Sequence, residues 1–328
     1  MRLGKISENV LRRSVLKQIK TKRNEVINGA GVGEDCAVFS LGEGECAVSM
    51  DPVLYGKSRI PAYAVIKAAN NLAAGGAKPI GVMVTALFPV NILETDIKEM
   101  MAEAEEACAM LGIQLAGGHT EISDAVSKPI FITAGIGMTG KGEAIYTKGA
   151  KPGQEIVVTK WIGLEGTAII AREKKEELLT KYPKHLVEEA ESFEKYLSVL
   201  PEAAVAMQAG ATAMHDVSEG GIFGALWELA ESSGVGLEVD FKNLPVRQET
   251  IEVCEYFDLN PYQLISGGSL LIVTDHGLDL VRELEKEGIR AAVAGKITAN
   301  HDRVVIKDGE RRFLELPGTD EIYRLRSV

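Results

Sequence analysis

The sequence lacks any run of apolar residues long enough for a bilayer. Its longest, such as residues 80–90, fall far short of the ~20 residues that a membrane-spanning helix needs. The opening segment, 1–19, is broken by Arg2, Lys5, Glu8, Arg12, Arg13 and Lys17. No signal peptide or membrane anchor is expected, and a cytoplasmic location is. A basic block is missing too: 36 Lys plus Arg stand against 47 Asp plus Glu, for a formal charge of −11. Such a field repels phosphate at long range, which argues against nucleic acid and anionic membranes as partners. A small phosphorylated ligand would need a local device, either bound cations or converging backbone N–H groups. Cysteine is scarce: Cys36, Cys46, Cys108 and Cys254 form no C-x-x-C pair and sit in apolar stretches, as buried reduced thiols of a cytosolic protein do. Short-period repeats and low-complexity tracts are absent as well.

What is present is a globular composition, 46% hydrophobic and 25% charged, in a chain of 328 residues, a length suited to two domains. Short apolar runs alternate with amphipathic helices, the pattern of mixed α/β layers, so a two-domain α+β fold is expected. From Ile60 onward, Ala62, Val65, Ile66, Ala69, Leu72 and Ala73 recur at helical spacing, and Gly75-Gly76 supplies the stop. Residues 79–88 read as a strand. Thr95 is expected to cap a second helix, with Ile97, Met100, Met101, Ala104, Cys108 and Leu111 on one face before Gly112 ends it. Residues 113–116 and 129–138 read as further strands, the second so continuously apolar that burial on both faces is expected. The segment 139–153 holds four glycines, one proline and three lysines without hydrophobic periodicity, and it sets the expected domains at 1–148 and 149–328. Beyond it come a strand at 155–159, a helix opening near Gly163 and a charged stretch, 172–195, read as solvated helix. A strand-loop-helix unit over 212–233, a strand-helix-strand set over 269–298 and a hairpin turn at Asp308-Gly309 complete the chain.

Five segments carry residues suited to chemistry. In Gly31-Val32-Gly33-Glu34-Asp35, glycine lets a backbone approach a ligand and adjacent carboxylates are hard ligands for magnesium, although the same residues also make an ordinary turn. Asp51 follows the strand at 45–48 and either points into a crevice or forms an Asp-Pro turn with Pro52. Tyr63, Lys67, Asn70 and Asn71 form a polar stripe on the first helix. Most such stripes face water, but two amides in an Ala-rich helix are poor helix formers and hint at a use. Gly117-Gly118-His119-Thr120-Glu121 directly after a strand suits a flexible phosphate or metal loop. His119 and Lys67 are the candidate catalytic residues. Met214-His215-Asp216-Val217-Ser218-Glu219-Gly220-Gly221 precedes a helix whose first N–H groups could hold an anion, and Ser218 could equally be a cap there.

In this order and spacing, the segments resemble the aminoimidazole ribonucleotide (AIR) synthetase superfamily, whose members include HypE, thiamine-monophosphate kinase and selenophosphate synthetase. The stretch 230–261 looks most like HypE. The resemblance implies an N-terminal sheet that pairs with a second subunit, making a homodimer, and ATP near that interface with its phosphates held through Mg2+. It implies metal ligation by Asp35 and Asp51, with Glu34 a further candidate, and nucleotide contacts from Gly33, Asn71, Gly117, Gly118, Thr120, Ser218, Gly220 and Gly221. Two positions depart from the pattern: Asn71 and His119 stand where the kinase and HypE usually carry Asp. Asn still offers a neutral oxygen to magnesium, whereas His119 is better suited to phosphate than to magnesium. The chain ends Ile322-Tyr323-Arg324-Leu325-Arg326-Ser327-Val328 without the cysteine on which HypE acts, so thiocarbamate dehydration is not expected. Nothing before Cys36 matches the reactive residue of selenophosphate synthetases either. The expectation is an ATP-dependent phosphotransferase or dehydrating ligase acting on a small-molecule acceptor. The alternative is a nucleotide-binding partner protein for metallocentre assembly, with little turnover.

Overall fold

The computed structural model describes Lys5 and residues 7–327. After a short helical start at α1 (Glu8–Val10), the N-terminal half forms a six-stranded sheet in the order β1-β2-β3-β6-β4-β5. Its strands are β1 (Val26–Asn28), β2 (Ala37–Leu41), β3 (Gly44–Val53), β4 (Lys78–Phe88), β5 (Gln114–Ile122) and β6 (Ile130–Gly140). Neighbours run antiparallel except β4 and β5, which are parallel and joined by a helical crossover. Helix α2 (Ile60–Ala74) packs on β3, β4 and β6, and the crossover helix α3 (Glu94–Leu111) packs on α2 and β5. Pro61 in the first turn and Gly76 at φ +71 after the last bound α2 as the sequence suggests. Helix α3 starts earlier than expected. Its N-cap is Leu93, whose N–H is accepted by the Asp96 side chain, and Thr95 lies within the first turn.

Strand β6 is not buried on both faces. Phe131, Thr133, Gly135 and Gly137 turn towards α2, where a side chain at 135 would meet Leu72 and the Ala68 carbonyl. Ile132, Ala134, Ile136 and Met138 face away, and no described element covers them. The uncovered face continues across the sheet: Met50 and Met83 flank Ala134 in register and are 68% and 46% exposed. The run looked doubly buried because, Phe131 apart, its α2-facing residues are small or polar while its outward ones are apolar, so the alternation is largely inverted.

The second sheet has seven strands in the order β13-β12-β9-β11-β7-β10-β8. They are β7 (Glu155–Thr159), β8 (Ala213–Val217), β9 (Gly236–Asp240), β10 (Ser269–Thr274), β11 (Ala291–Thr298), β12 (Arg303–Lys307) and β13 (Glu310–Phe313). Around it lie α4 (Leu164–Glu173), α5 (Lys175–Leu178), α6 (Lys184–Glu191), α7 (Leu200–Gln208), α8 (Gly221–Ser233), α9 (Gln248–Tyr256) and α10 (Gly277–Lys286). Ile222, Leu226 and Leu229 of α8 pack with Ile156, Val158 and Leu271 on one face. Ala203 and Ala206 of α7 and Leu280 and Leu284 of α10 pack with Val157, Leu270 and Ile272 on the other. The central strands are therefore buried on both sides, as their unbroken apolar sequence requires. The charged stretch is helical but not merely solvated. It buries Leu178, Val187, Ala190 and Phe193, and Arg172 ties it down through ion pairs to Glu191 and Glu194.

Asn70 locks the halves together, and Asp320 locks the second half internally. Asn70, 2% exposed in the middle of α2, donates to the Leu197 carbonyl at 2.7 Å and accepts from the Val199 N–H at 2.9 Å. The polar stripe of α2 thus faces the second domain rather than water. Asp320 accepts from the backbone N–H of Gly220 at 2.6 Å, Ile322 at 2.8 Å and Ile265 at 3.2 Å, clamping three separate stretches of chain. Asp320→Ala would strand three N–H groups, each worth about 1–3 kcal/mol when buried and unpaired. The expected loss is about 3 kcal/mol or more, read from the urea midpoint, with Asp320→Asn intermediate. An unchanged midpoint would refute the clamp.

Candidate functional site

The loop between β1 and β2 lies against α8 of the other domain. Gly33, at φ +71, is what lets it do so, because a Cβ there would sit 2.9 Å from the Glu228 carbonyl oxygen. That approach delivers Asp35 to His215 and Asp216, at the buried end of β8. Asp35 Oδ1 lies 2.7 Å from His215 Nδ1, its Oδ2 accepts from the Asp216 N–H at 3.4 Å, and His215 Nε2 lies 3.0 Å from Glu228 Oε2. The Nδ1 contact is ionic, since the ring nitrogen makes no aligned hydrogen bond. Burial opposes charge on the ring, but Asp35 and Glu228 outweigh it and hold the imidazole pKa well above its ordinary value. Burial, and then the Asp35 charge, push Asp216 up to about 7. Glu228 falls to about 2 because Lys5 and His215 overcome its burial.

Donor atoms of Asp35, His215 and Asp216 all lie within 4.8 Å of one another. Two carboxylates crowded in a dry place repel, and a hard divalent cation between them relieves that repulsion, so this donor set fits magnesium. His215, held between two acids, serves them as a counter-charge.

Across the domain junction stands a second group. Asp51 is in mid-strand, not in an Asp-Pro turn, and faces α2. Asn71 Nδ2 donates to its Oδ2 at 2.5 Å and Lys67 Nζ lies 3.4 Å from its Oδ1. The fields of Lys67 and Asp51 both reach Asp216. Lys67, Asp216 and Ser218 line one small cavity between the domains.

The other candidate residues are placed differently. Glu34 turns away from Asp35 into a bracket made by Asn28 at 3.0 Å, Ser232 at 3.4 Å and Lys148 at 3.9 Å, beside an open cavity of about 660 Å³. Ser218 does not cap α8 with its side chain. The cap residue is Gly220 at φ +95, whose N–H is taken by Asp320, and Gly221 is hemmed in by the Tyr262 carbonyl at 2.7 Å from a would-be Cβ. Gly117, Gly118, His119 and Thr120 form no loop. They continue edge strand β5, where a Cβ on Gly118 would collide with the Val84 carbonyl. His119 is exposed, contacts Glu121 at 3.0 Å and sits opposite Thr85, on the uncovered face. Three strand spacings, about 14 Å, separate β5 from β3. The chain therefore gathers Asp35, Asp51, Lys67, Asn71 and Ser218 at the junction but leaves His119 on the outer face of the edge strand, away from them, while Gly118 beside it turns to the inner face. Sequence reasoning passed over His215 and Asp216 in favour of Ser218 and the glycines. Two ionisable residues inside the otherwise apolar run 213–217 were the available signal.

Comparison with known proteins agrees with this architecture. A putative hydrogenase expression/formation protein of Methanocaldococcus jannaschii is 26% identical over 337 residues, covering 98% of this chain and 97% of its own. Among solved structures, the hydrogenase maturation protein HypE in complex with ATP superposes with a TM-score of 0.71 at 18% identity, over 97% of both chains. A ThiL protein complexed with AMPPCP and TMP gives 0.71 at 20% identity, over 95% of this chain and 96% of its own. Residues 33–141 match the N-terminal domain, and residues 151–308 the C-terminal domain, of AIR synthase related proteins, and the chain belongs to that family.

Proposed function

We propose that this protein binds ATP through magnesium at the domain junction and uses it to phosphorylate, or activate as a leaving group, an oxygen of a small-molecule acceptor. The observation that carries the reading is the buried meeting of Asp35 and Asp216 beside Asp51. Such a concentration of carboxylates in an acidic protein makes sense around divalent cations that in turn hold a polyphosphate. The bound cation would neutralise phosphate charge in the transition state, as phosphoryl transfer demands. This chain's residues supply the positioning. Asp35, Asp51 and Asp216 present oxygens, Asn71 fixes the rotamer of Asp51, and Lys67 adds a positive charge 11% exposed at the junction. Glu34, gripped by Asn28 and Ser232, shapes the loop that presents Asp35. Relatives of the same fold solved with ATP and with AMPPCP support nucleotide as the ligand.

The reading includes a homodimer formed over the uncovered face of the first sheet. Met50, Met83 and Met138 lie on that face, and a soluble monomer rarely leaves so continuous an apolar patch to water. His119 shares the face, so a second copy would bring it, with Gly117, Gly118 and Thr120, into the interface. A second reading, a nucleotide-binding partner protein with little turnover, draws on Asn71, which donates to Asp51 where a carboxylate would hold metal. Release of ADP separates the two readings.

Asp35→Ala and Asp216→Ala are each expected to weaken magnesium-dependent binding of a non-hydrolysable ATP analogue by about 10- to 100-fold, the worth of a charged contact. Calorimetry measures it, and unchanged affinity in both folded variants would sink the metal assignment. Sedimentation should show a wild-type dimer and a shift to monomer in Met83→Lys, which puts charges on the shared face. A wild type that stays folded and monomeric at all concentrations contradicts the dimer.

A further inference from the structure

One buried acid at the junction has no part in the nucleotide site described so far. Glu165, in the first turn of α4, is 5% exposed and lines the same small cavity as Lys67, Asp216 and Ser218. Its Oε1 accepts from the Tyr55 hydroxyl at 2.7 Å, and the Gly267 backbone amide beside it favours its charged form. Tyr55 is itself fully buried. The carboxylate occupies the place where a side chain at 267 would go, since a Cβ there would collide with Glu165 Oε2. Glycine at 267 and tyrosine at 55, from different domains, thus make one socket for one carboxylate. If it served only the helix, an acid in the first turn of α4 would do as well facing water. Burying it instead is costly unless the charge is used or compensated.

The cavity beside it has a volume of about 10 Å³, space for roughly a single water or one acceptor atom. Asp216 forms one wall, so a phosphate held by the carboxylate cluster would stand next to that atom, and Lys67 faces Glu165 across it. We propose that Glu165 is the catalytic base that takes the proton of the acceptor as its oxygen attacks the terminal phosphorus of ATP. This rests on the nucleotide reading given above and extends it to the acceptor side. In the step, the bond from acceptor oxygen to terminal phosphorus forms. The bond from that phosphorus to the bridging oxygen breaks, and its electron pair leaves on ADP. The proton from the acceptor moves to the Glu165 carboxylate, which Tyr55 and Gly267 hold in the reactive rotamer. Burial raises the proton affinity of Glu165 against the pull of Tyr55, Lys67 and the Gly267 N–H, in the direction a base requires.

The test uses the full-length protein with MgATP and with water as the acceptor, followed as ADP released. Glu165→Gln keeps the size of the side chain and an oxygen for the Tyr55 hydroxyl, but cannot take a proton. It is expected to release ADP at least about 100-fold more slowly than wild type. Its melting temperature should not fall, and its affinity for the non-hydrolysable analogue should stay within about twofold, because only kcat carries the effect. Tyr55→Phe, which loosens the carboxylate without removing it, should lie between the two. A Glu165→Gln protein that turns over like wild type, or one that fails by losing nucleotide affinity or stability, overturns the role of Glu165 and leaves the nucleotide reading standing. A wild type that binds MgATP and releases no ADP overturns both this role and the enzymatic reading.

Discussion

Helix α2 is buried on every side, and the site follows from that constraint. One flank packs on β3, β4 and β6, and another meets α7 and β8 of the second domain. A helix so enclosed cannot leave polar side chains to water, so each must find a protein partner. Asn70 finds the backbone before α7, Tyr63 finds Glu194 at 2.5 Å, and Asn71 and Lys67 find Asp51. The same satisfied contacts that join the domains therefore fix the rotamers of Asp51 and Lys67. Stability and positioning are here one set of hydrogen bonds.

Electrostatics at the junction are arranged by sharing rather than by neutralising each charge alone. His215 stands between Asp35 and Glu228, Lys67 stands between Asp51 and the cavity, and Asp216 is left with two acids in its field and a raised pKa. Such a cluster is poorly balanced by itself and would gain from a divalent ion, which under the proposed function would offer a polyphosphate the attraction that the overall charge of −11 denies it.

Much of the fold could be read from the sequence, because its signals are local. The apolar spacing of 60–74, the Gly75-Gly76 stop and the Asp308-Gly309 turn all report on neighbours a few residues away. What escaped depends on distant chain. The stripe of Tyr63, Lys67, Asn70 and Asn71 looks like a wet face until a second domain arrives to cover it. Gly117-Gly118 looks like loop punctuation, yet Gly118 is small because β4 passes so close that the Val84 carbonyl fills the space of a side chain. His119 drew attention as a loop histidine, whereas the parallel pairing of β4 and β5 carries it to the outer face. Asp35 and Asp51 stood out in the sequence as carboxylates, one in a glycine-rich turn and one after a strand that in fact runs on through it to Val53. His215 and Asp216 did not, since an apolar run hides how deeply its polar members are buried.

The Asp320 clamp joins Gly220 to a residue 100 positions away in sequence. One carboxylate thus holds in common the turn that opens α8, the approach to β10 and the segment that follows β13. Changes made separately at 320 and in the Gly220-Gly221 turn act on one shared hydrogen bond, from the Gly220 N–H to Asp320. Their energies will not add, and a substitution near residue 320 will register in genetics as a partner of the junction rather than as a lesion in a remote tail.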